Sequence, residues 1–269
     1  AKSVYEIAKD ISEGLARAAC AGEVDGEIVD LRTVLDKDCT LKIITASDEE
    51  GLRVIRHTAS HVLAQAVKNL FPDAKITIGP AIDDGFYYDS QPFSREDLDA
   101  LEAEMKKIIK QGHEITRFTL PREEAIKFMK EKDEPYKVEL IEELPEGEEI
   151  SFYDQGGFVD LCAGPHLMST KGVKAFKLTS SSMAYWRGDS NKARLHRIYG
   201  TAYNKKEDLK AHLERMEEAK KRDHNKLGRE MELFTTVDVI GQGLPLMMPK
   251  GTKMIMKLQR WIEDLEDKE

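Results

Sequence analysis

Cysteine is scarce in this chain. Cys20, Cys39 and Cys162 are the only three in 269 residues, too few and too scattered for a disulfide framework. No apolar run approaches the roughly 18 residues that span a bilayer. The opening, AKSVYEIAKD, has neither the basic start nor the apolar stretch of a secretory signal. A cytoplasmic protein with no membrane association is expected. The sequence also lacks a G-x-x-x-x-G-K-[ST] phosphate loop and a G-x-S-x-G nucleophile elbow. GQGLPL at 241–246 is missing the third glycine of a dinucleotide loop and reads as a turn. Nor is there an excess of positive charge: the net charge of −9 argues against a protein that coats nucleic acid without specificity.

What is present is an ordinary globular composition, 41% hydrophobic, long enough for about two domains. Charge is unevenly spread. From Arg122 to Ile150 there are 11 acidic residues against 5 basic ones, whereas from Lys171 to Arg197 there are 7 basic residues and only Asp189 opposing them. A locally basic segment on an acidic protein suits a partner gripped at one place.

Periodicity indicates an α+β protein. Val4, Ile7, Ala8, Ile11, Leu15 and Ala19 recur at helical spacing, followed by two strand-like runs, GEIVDL and CTLKIIT. This segment, 1–46, buries little by itself and reads as a small domain without its beginning. A second helix is expected from Ser47, with Ser47 and Glu50 as a capping box, to about Leu70 before Pro72. ITIG and GFYYD read as a hairpin. Another capped helix is expected from Ser94, with Leu98, Leu101, Met105 and Ile108 on one face. Strands are expected near Ile115–Leu120, Ile150–Tyr153, Phe176–Leu178 and Leu195–Tyr199, with helical stretches through Met129 and Ile141. These interleaved elements predict one α+β domain over 47–203. Residues 204–231 read as a charged linker helix with a thin stripe of Leu209, Leu213 and Met216. Residues 232–269 read as the start of a further domain: a strand pair around LPLMMPKG, then a helix whose apolar face is Ile255, Leu258, Ile262 and Leu265.

His57 and His61, in RHTASH, carry the most chemical information. Four residues apart on a helix, they lie about 40° from each other. The helix's apolar stripe of Leu52, Ile55, Ala59, Val62, Leu63, Ala66 and Leu70 lies on the opposite side, so the pair is expected to point away from the main core. DLCAGPH supplies a second element, in which Cys162 and His166 repeat the spacing on a Gly-Pro turn, with Asp160 just before them and Gly156-Gly157 upstream. Two histidines from a helix plus Cys and His from a turn have the ligand types of a tetrahedral zinc site. The same set can instead bind the sugar and amino acid of a substrate.

IRHTASHVLAQAVKNLFP, IGPAIDDGFYYD, EPYKVEL, VDLCAGPH and AYWRGDSNKARLHRIYGTAY closely resemble, in that order, segments of threonyl-tRNA synthetases. The HxxxH and CxxxH halves alone are shared with alanyl-tRNA editing domains, whereas GFYYD and YWRGDSN resemble the threonyl branch. The resemblance covers essentially the whole chain. It implies a truncated, β-grasp-like TGS domain over 1–46 and an editing domain over 47–203. A linker helix over 204–231 would follow, then the opening of a class II antiparallel-sheet catalytic domain over 232–269.

The implied function is hydrolysis of the 3′ ester of tRNA(Thr) mischarged with serine. A threonine site rejects serine, one methyl group smaller, by only about 1–3 kcal/mol; an editing pocket that excludes the methyl group removes the error. By the same resemblance Lys137 stands beside the attacking water and His57 near the terminal ribose and ester. His61, Cys162 and His166 shape the pocket, Asp160 recognises the substrate's amino or hydroxyl group, and Tyr88 contacts the terminal adenosine. Arg187, Lys192, Arg194 and Arg197 are candidates for the acceptor stem, since arginines suit phosphate.

Alanyl relatives imply zinc on His57, His61, Cys162 and His166, whereas threonyl editing sites resemble metal-independent ones. Editing is therefore expected to need no cofactor, with ATP, magnesium and zinc belonging to the full-length parent, a homodimer through its catalytic domain; the resemblance leaves the fragment's own oligomeric state open, a monomer included. Two other readings stand beside this one: a non-catalytic tRNA-binding fragment with a structural zinc, and a free-standing hydrolase acting in trans.

Overall fold

The computed structural model describes residues 1–90, 97–241 and 243–268. The protein is α+β and divides into two compact units, Ala1–Leu209 and Lys210–Glu269. The first begins with β1 (Lys2–Ser3), α1 (Val4–Ile11), α2 (Glu13–Ala18), β2 (Ala19–Val24), β3 (Glu27–Val29), β4 (Val34–Leu35) and β5 (Leu41–Thr45). The helix expected across Val4–Ala19 is two helices. Ser12 is extended and its side chain accepts from Leu15 N at 3.0 Å, starting a new helix instead of continuing the old one. Strand β2 was not foreseen because ACAGEV is low in β-propensity, yet it is the central strand of an antiparallel sheet ordered β3-β2-β5.

The long helix α3 (Glu49–Leu70) organises the rest. It starts after Asp48, not through a Ser47–Glu50 capping box: the Asp48 carboxylate turns back to accept from the Thr45 amide and hydroxyl at 2.8 and 3.0 Å. A four-stranded antiparallel sheet packs on it, ordered β11-β12-β7-β6, from β6 (Ala81–Ile82), β7 (Gly85–Ser90), β11 (Ala175–Tyr185) and β12 (Arg194–Tyr203). The expected hairpin turns at Asp83-Asp84. ITIG is not a strand; it touches β7 through Ile76–Ser90 bridging and the Thr77 and Asp89 amides. Helix α4 (Asp97–Gln111) buries Leu101, Met105 and Ile108 against α3, while the Ser94 cap expected for it lies outside the described residues. Cys20, Ala21 and Ile44 of the N-terminal segment join this same large core, beside a smaller one of Val4, Ala8, Ala16, Ala19 and Leu31.

A second sheet, ordered β10-β9-β8, comprises β8 (Ile115–Thr119), β9 (Ser151–Gln155) and β10 (Phe158–Leu161). Helices α5 (Arg122–Glu131) and α6 (Pro135–Glu143) pack with it around Phe152, Met129 and Ile141. The charged helix expected from Lys205 to Glu230 is broken into α7 (Lys206–Lys221) and α8 (His224–Glu230), because Asp223 caps the latter by accepting from Lys226 N at 3.0 Å. Within the second unit, β13 (Phe234–Thr235) pairs with β14 (Leu246–Met247), and α9 (Pro249–Glu266) leaves Ile255, Leu258, Trp261 and Ile262 exposed. No helix among the described residues is long and apolar enough to cross a membrane.

Candidate functional site

Four elements converge at one point: α3 with His57 and His61, β7 with Tyr88, α6 with Lys137, and β10 with the turn after it, carrying Asp160, Cys162 and His166. The histidine pair, expected to point away from the main core, is nonetheless covered. His61 is 4% exposed, because α3 is covered on that face too. Gln155 Nε2 of β9 donates to the His61 carbonyl at 3.0 Å, and the turn lies over His57. Helical angle locates a residue on its own helix but says nothing of a second layer.

Asp160 is the electrostatic centre. Lys137 Nζ lies 2.5 Å from its Oδ1, the Tyr88 hydroxyl donates to Oδ2 at 2.8 Å, and His61 Nδ1 is 3.6 Å from Oδ2. Burial alone would raise the Asp160 carboxyl, but the Lys137 ammonium, with the hydrogen bonds from Lys137 and Tyr88, outweighs it and holds the group below the usual range. Lys137, 2% exposed, is no surface lysine despite its acidic helix. Its helix begins with Pro135 at the first turn, and the preceding Glu134 ties that end down by accepting from Lys68 Nζ at 2.8 Å and Ile76 N at 3.2 Å.

Beside this pair, the donor atoms of His57, His61, Cys162 and His166 all lie within 4.8 Å of one another. Cys162 Sγ is 3.3 Å from both His57 Nε2 and His166 Nε2. The Pro165 carbonyl, 3.3 Å from His57 Nδ1, can only accept, so the proton sits on Nδ1 and Nε2 is an acceptor. Burial lowers His57 to about 4 and His61 to about 3, and drives His166 well below the ordinary histidine value. The imidazoles are therefore neutral at pH 7, and burial pushes the Cys162 thiol up to about 12, leaving it protonated. Gly164 has φ +79° and abuts the Tyr153 hydroxyl where a Cβ would stand, so the turn demands glycine there.

Two clefts with no lining residue in common open here, one onto His57 and the turn and the other onto the Lys137–Asp160 pair. One of about 300 Å³ is lined by Arg53, His57, Pro80, Ala81, Gly164 and Pro165. The other, about 440 Å³, is lined by Lys68, Glu134, Lys137, Gly156, Gly157 and Asp160 among others.

The residues expected at an acceptor stem have partners within the chain. Arg197 makes a two-pronged pair with Asp89, at 2.7 and 2.7 Å, over the Tyr87 ring. Arg187 pairs with Glu139 and Glu143, and Lys192 Nζ lies 3.5 Å from Glu139. The basic segment thus pairs with the acidic one at the surface, while Arg194 is exposed and its guanidinium lies 3.9 Å from Met183 Sδ. Tyr88 is 1% exposed and its hydroxyl is engaged by Asp160, so it stands in the wall behind the carboxylate. Sequence reading missed Glu134, Thr58, whose Oγ1 is 3.2 Å from His166 Nδ1, and Trp186, which donates to Glu139 at 2.9 Å. Thr58 adjoins His57 in RHTASH; its role depends on a turn 108 residues away.

Residues 150–199 match the family described as threonyl and alanyl tRNA synthetase second additional domain, and residues 1–45 match the TGS domain. The chain is 60% identical over 269 residues to a threonine–tRNA ligase of Clostridium perfringens. It is 60% identical over 266 residues to that of Acetivibrio thermocellus. The chain belongs to the threonine–tRNA ligase family. These alignments cover 99% and 97% of this chain but 42% of each relative. A relative from Caldanaerobacter subterraneus subsp. tengcongensis is 58% identical over 99% of the chain and 41% of its own length. Within the chain, the second-additional-domain match contains Asp160, Cys162 and His166, whereas His57, Tyr88 and Lys137 are brought to them by the fold.

Proposed function

We propose that this chain is the editing part of a threonine–tRNA ligase, hydrolysing seryl-tRNA(Thr) at the 3′ ester, with 1–46, 47–203, 204–231 and 232–269 as its successive parts. The observation that carries the reading is the buried Lys137–Asp160 pair directly beside the His57, His61, Cys162 and His166 cluster. Ester hydrolysis needs a held water, a group to take its proton and donors for the developing oxyanion. Lys137 Nζ holds the water and supports the oxyanion. His57, neutral at pH 7 with Nε2 as acceptor, takes a proton from the water or the ribose hydroxyl. Asp160 receives the substrate's ammonium or hydroxyl group, and Tyr88 keeps that carboxylate oriented. Serine is preferred because threonine's extra methyl group must find room against a close-packed wall.

The donor chemistry of the four-residue cluster also fits zinc: a tetrahedral ion would separate a thiolate sulfur and an imidazole nitrogen by about 3.5 Å, against the 3.3 Å present. His57, His61, Cys162 and His166 would hold it, and a bound zinc supplies Lewis-acid polarisation. Four protein ligands make a closed site of the structural kind, which favours chemistry by the protein's own groups when the ion is absent.

The test is deacylation of seryl-tRNA(Thr) and threonyl-tRNA(Thr) by wild type and Lys137→Ala, before and after chelation. Loss of serine alone, insensitive to chelator and abolished in Lys137→Ala, is expected. A folded, tRNA-binding protein that hydrolyses neither ester would overturn the reading in favour of a binding module.

A further inference from the structure

The N-terminal segment reaches the site through two side chains. Asp30 Oδ2 accepts from His166 N at 3.1 Å and from the Tyr153 hydroxyl at 3.0 Å. Arg32 Nη1 donates to the His166 carbonyl at 3.2 Å, Nη2 to the Leu167 carbonyl at 2.9 Å, and Nε to the Ile115 carbonyl at 3.0 Å. The two are locked to each other, with Arg32 Nη1 2.8 Å from Asp30 Oδ1, and their side chains are 16% and 8% exposed. The His166 peptide is therefore gripped from both ends, its N–H by a carboxylate and its C=O by a guanidinium. The His166 ring is fixed by the same carboxylate at one remove, since the Tyr153 ring packs edge-on against it at 4.6 Å.

We propose that Asp30 and Arg32 are positioning residues of the candidate site, through which the N-terminal domain sets the placement of the Cys162–His166 turn. The inference rests on the editing reading for its catalytic consequence, but not for its structural one. A guanidinium suits this task because its planar fork serves three carbonyls and the Asp30 carboxylate at once, four acceptors against the three donors of a lysine. A catalytic turn without regular structure needs such external support, since its own backbone supplies few restraints. The N-terminal domain packs on the rest of the unit through Cys20, Ala21 and Ile44 and through Met168, and the Asp30–Arg32 contact adds polar restraints aimed at the His166 peptide.

The test uses the full chain and the protein's own thiols. Cys39 is exposed, Cys20 is buried in the N-terminal sheet, and Cys162 reports on the turn. Alkylation by iodoacetamide is followed at each cysteine by peptide mass spectrometry in wild type, Arg32→Ala, Arg32→Lys and the surface control Lys42→Ala. Arg32→Ala should raise Cys162 alkylation relative to Cys39 by about 10-fold or more, and cut kcat for seryl-tRNA hydrolysis by about 10–100-fold with KM within about twofold. Cys20 should stay protected, and Arg32→Lys should recover part of both effects. Exposure of Cys20 together with Cys162 in both Arg32 variants would overturn the proposal, because the pair would then hold the fold as a whole. So would an unchanged Cys162. If wild type hydrolyses no ester, the editing reading fails, while selective loss of Cys162 protection still establishes the positioning role.

Discussion

Lys137 Nζ and Asp160 Oδ1 meet at 2.5 Å with side chains 3% and 2% exposed, joining a helix and a strand in a pair that water scarcely reaches. Removing one partner leaves the other charge stranded. Asp160→Ala should therefore cost about 3–5 kcal/mol of stability, read from urea denaturation. The double variant Lys137→Met/Asp160→Leu should recover most of that loss while remaining inactive. A single variant as stable as wild type would show that the pair is more hydrated than its geometry implies.

Zinc and hydrolysis should compete. His57 and His61 cannot serve a metal and an ester at once, so added zinc is expected to inhibit deacylation and chelator to restore it. One equivalent of Co(II) should give a tetrahedral thiolate spectrum that vanishes in Cys162→Ala. Activity that requires zinc would sink the metal-independent mechanism.

Among the basic residues, Arg197 and Arg194 should separate cleanly. Arg197→Ala leaves Asp89, with a side chain 5% exposed, without its partner, and should lower stability by about 3 kcal/mol. Arg194 is exposed; if it meets a phosphate, Arg194→Ala should leave stability unchanged and reduce the salt slope of tRNA binding by about 1. Equal salt slopes for wild type and Arg194→Ala would remove it from the tRNA contact.

Glu102 links α4 to the large sheet, accepting from Lys106 and Lys177 at 2.8 Å each. Burial raises its carboxyl, yet the two lysine hydrogen bonds prevail and hold it below the ordinary 4.5. A depressed carboxyl stabilises the fold above its unfolded value and loses that contribution as pH falls through the lower folded value. The stability gap between wild type and Glu102→Gln should be full near neutral pH and shrink as pH falls through the lowered folded value. A gap that does not change with pH would mean that charge is not its source.

Element type was readable from local pattern where a single force dominated. The stripe from Leu52 to Leu70 announces α3, and the apolar alternation around Ile115 and Phe152 announces strands. Breaks at Ser12 and Asp223 escaped because a cap's local hydrogen bond overrode a periodicity that continues across it. Strand β2 escaped because small residues carry almost no pattern, and its buried place in the sheet comes from its neighbours.

The ligand types and spacings of the site lay in the sequence by itself: HxxxH on a helix, CxxxH on a turn, and the resemblance that marked Lys137 and Asp160. Residue chemistry and short-range geometry are local properties, so these could be read before any fold was known. What only the tertiary structure decided is which charges are buried, which are paired, and what holds the turn. Arg197 became a strut for Asp89, Arg187 and Lys192 turned to Glu139, and Asp30 and Arg32 reached His166 across more than a hundred residues. Burial and pairing depend on which distant segments fold together, and no local pattern encodes that.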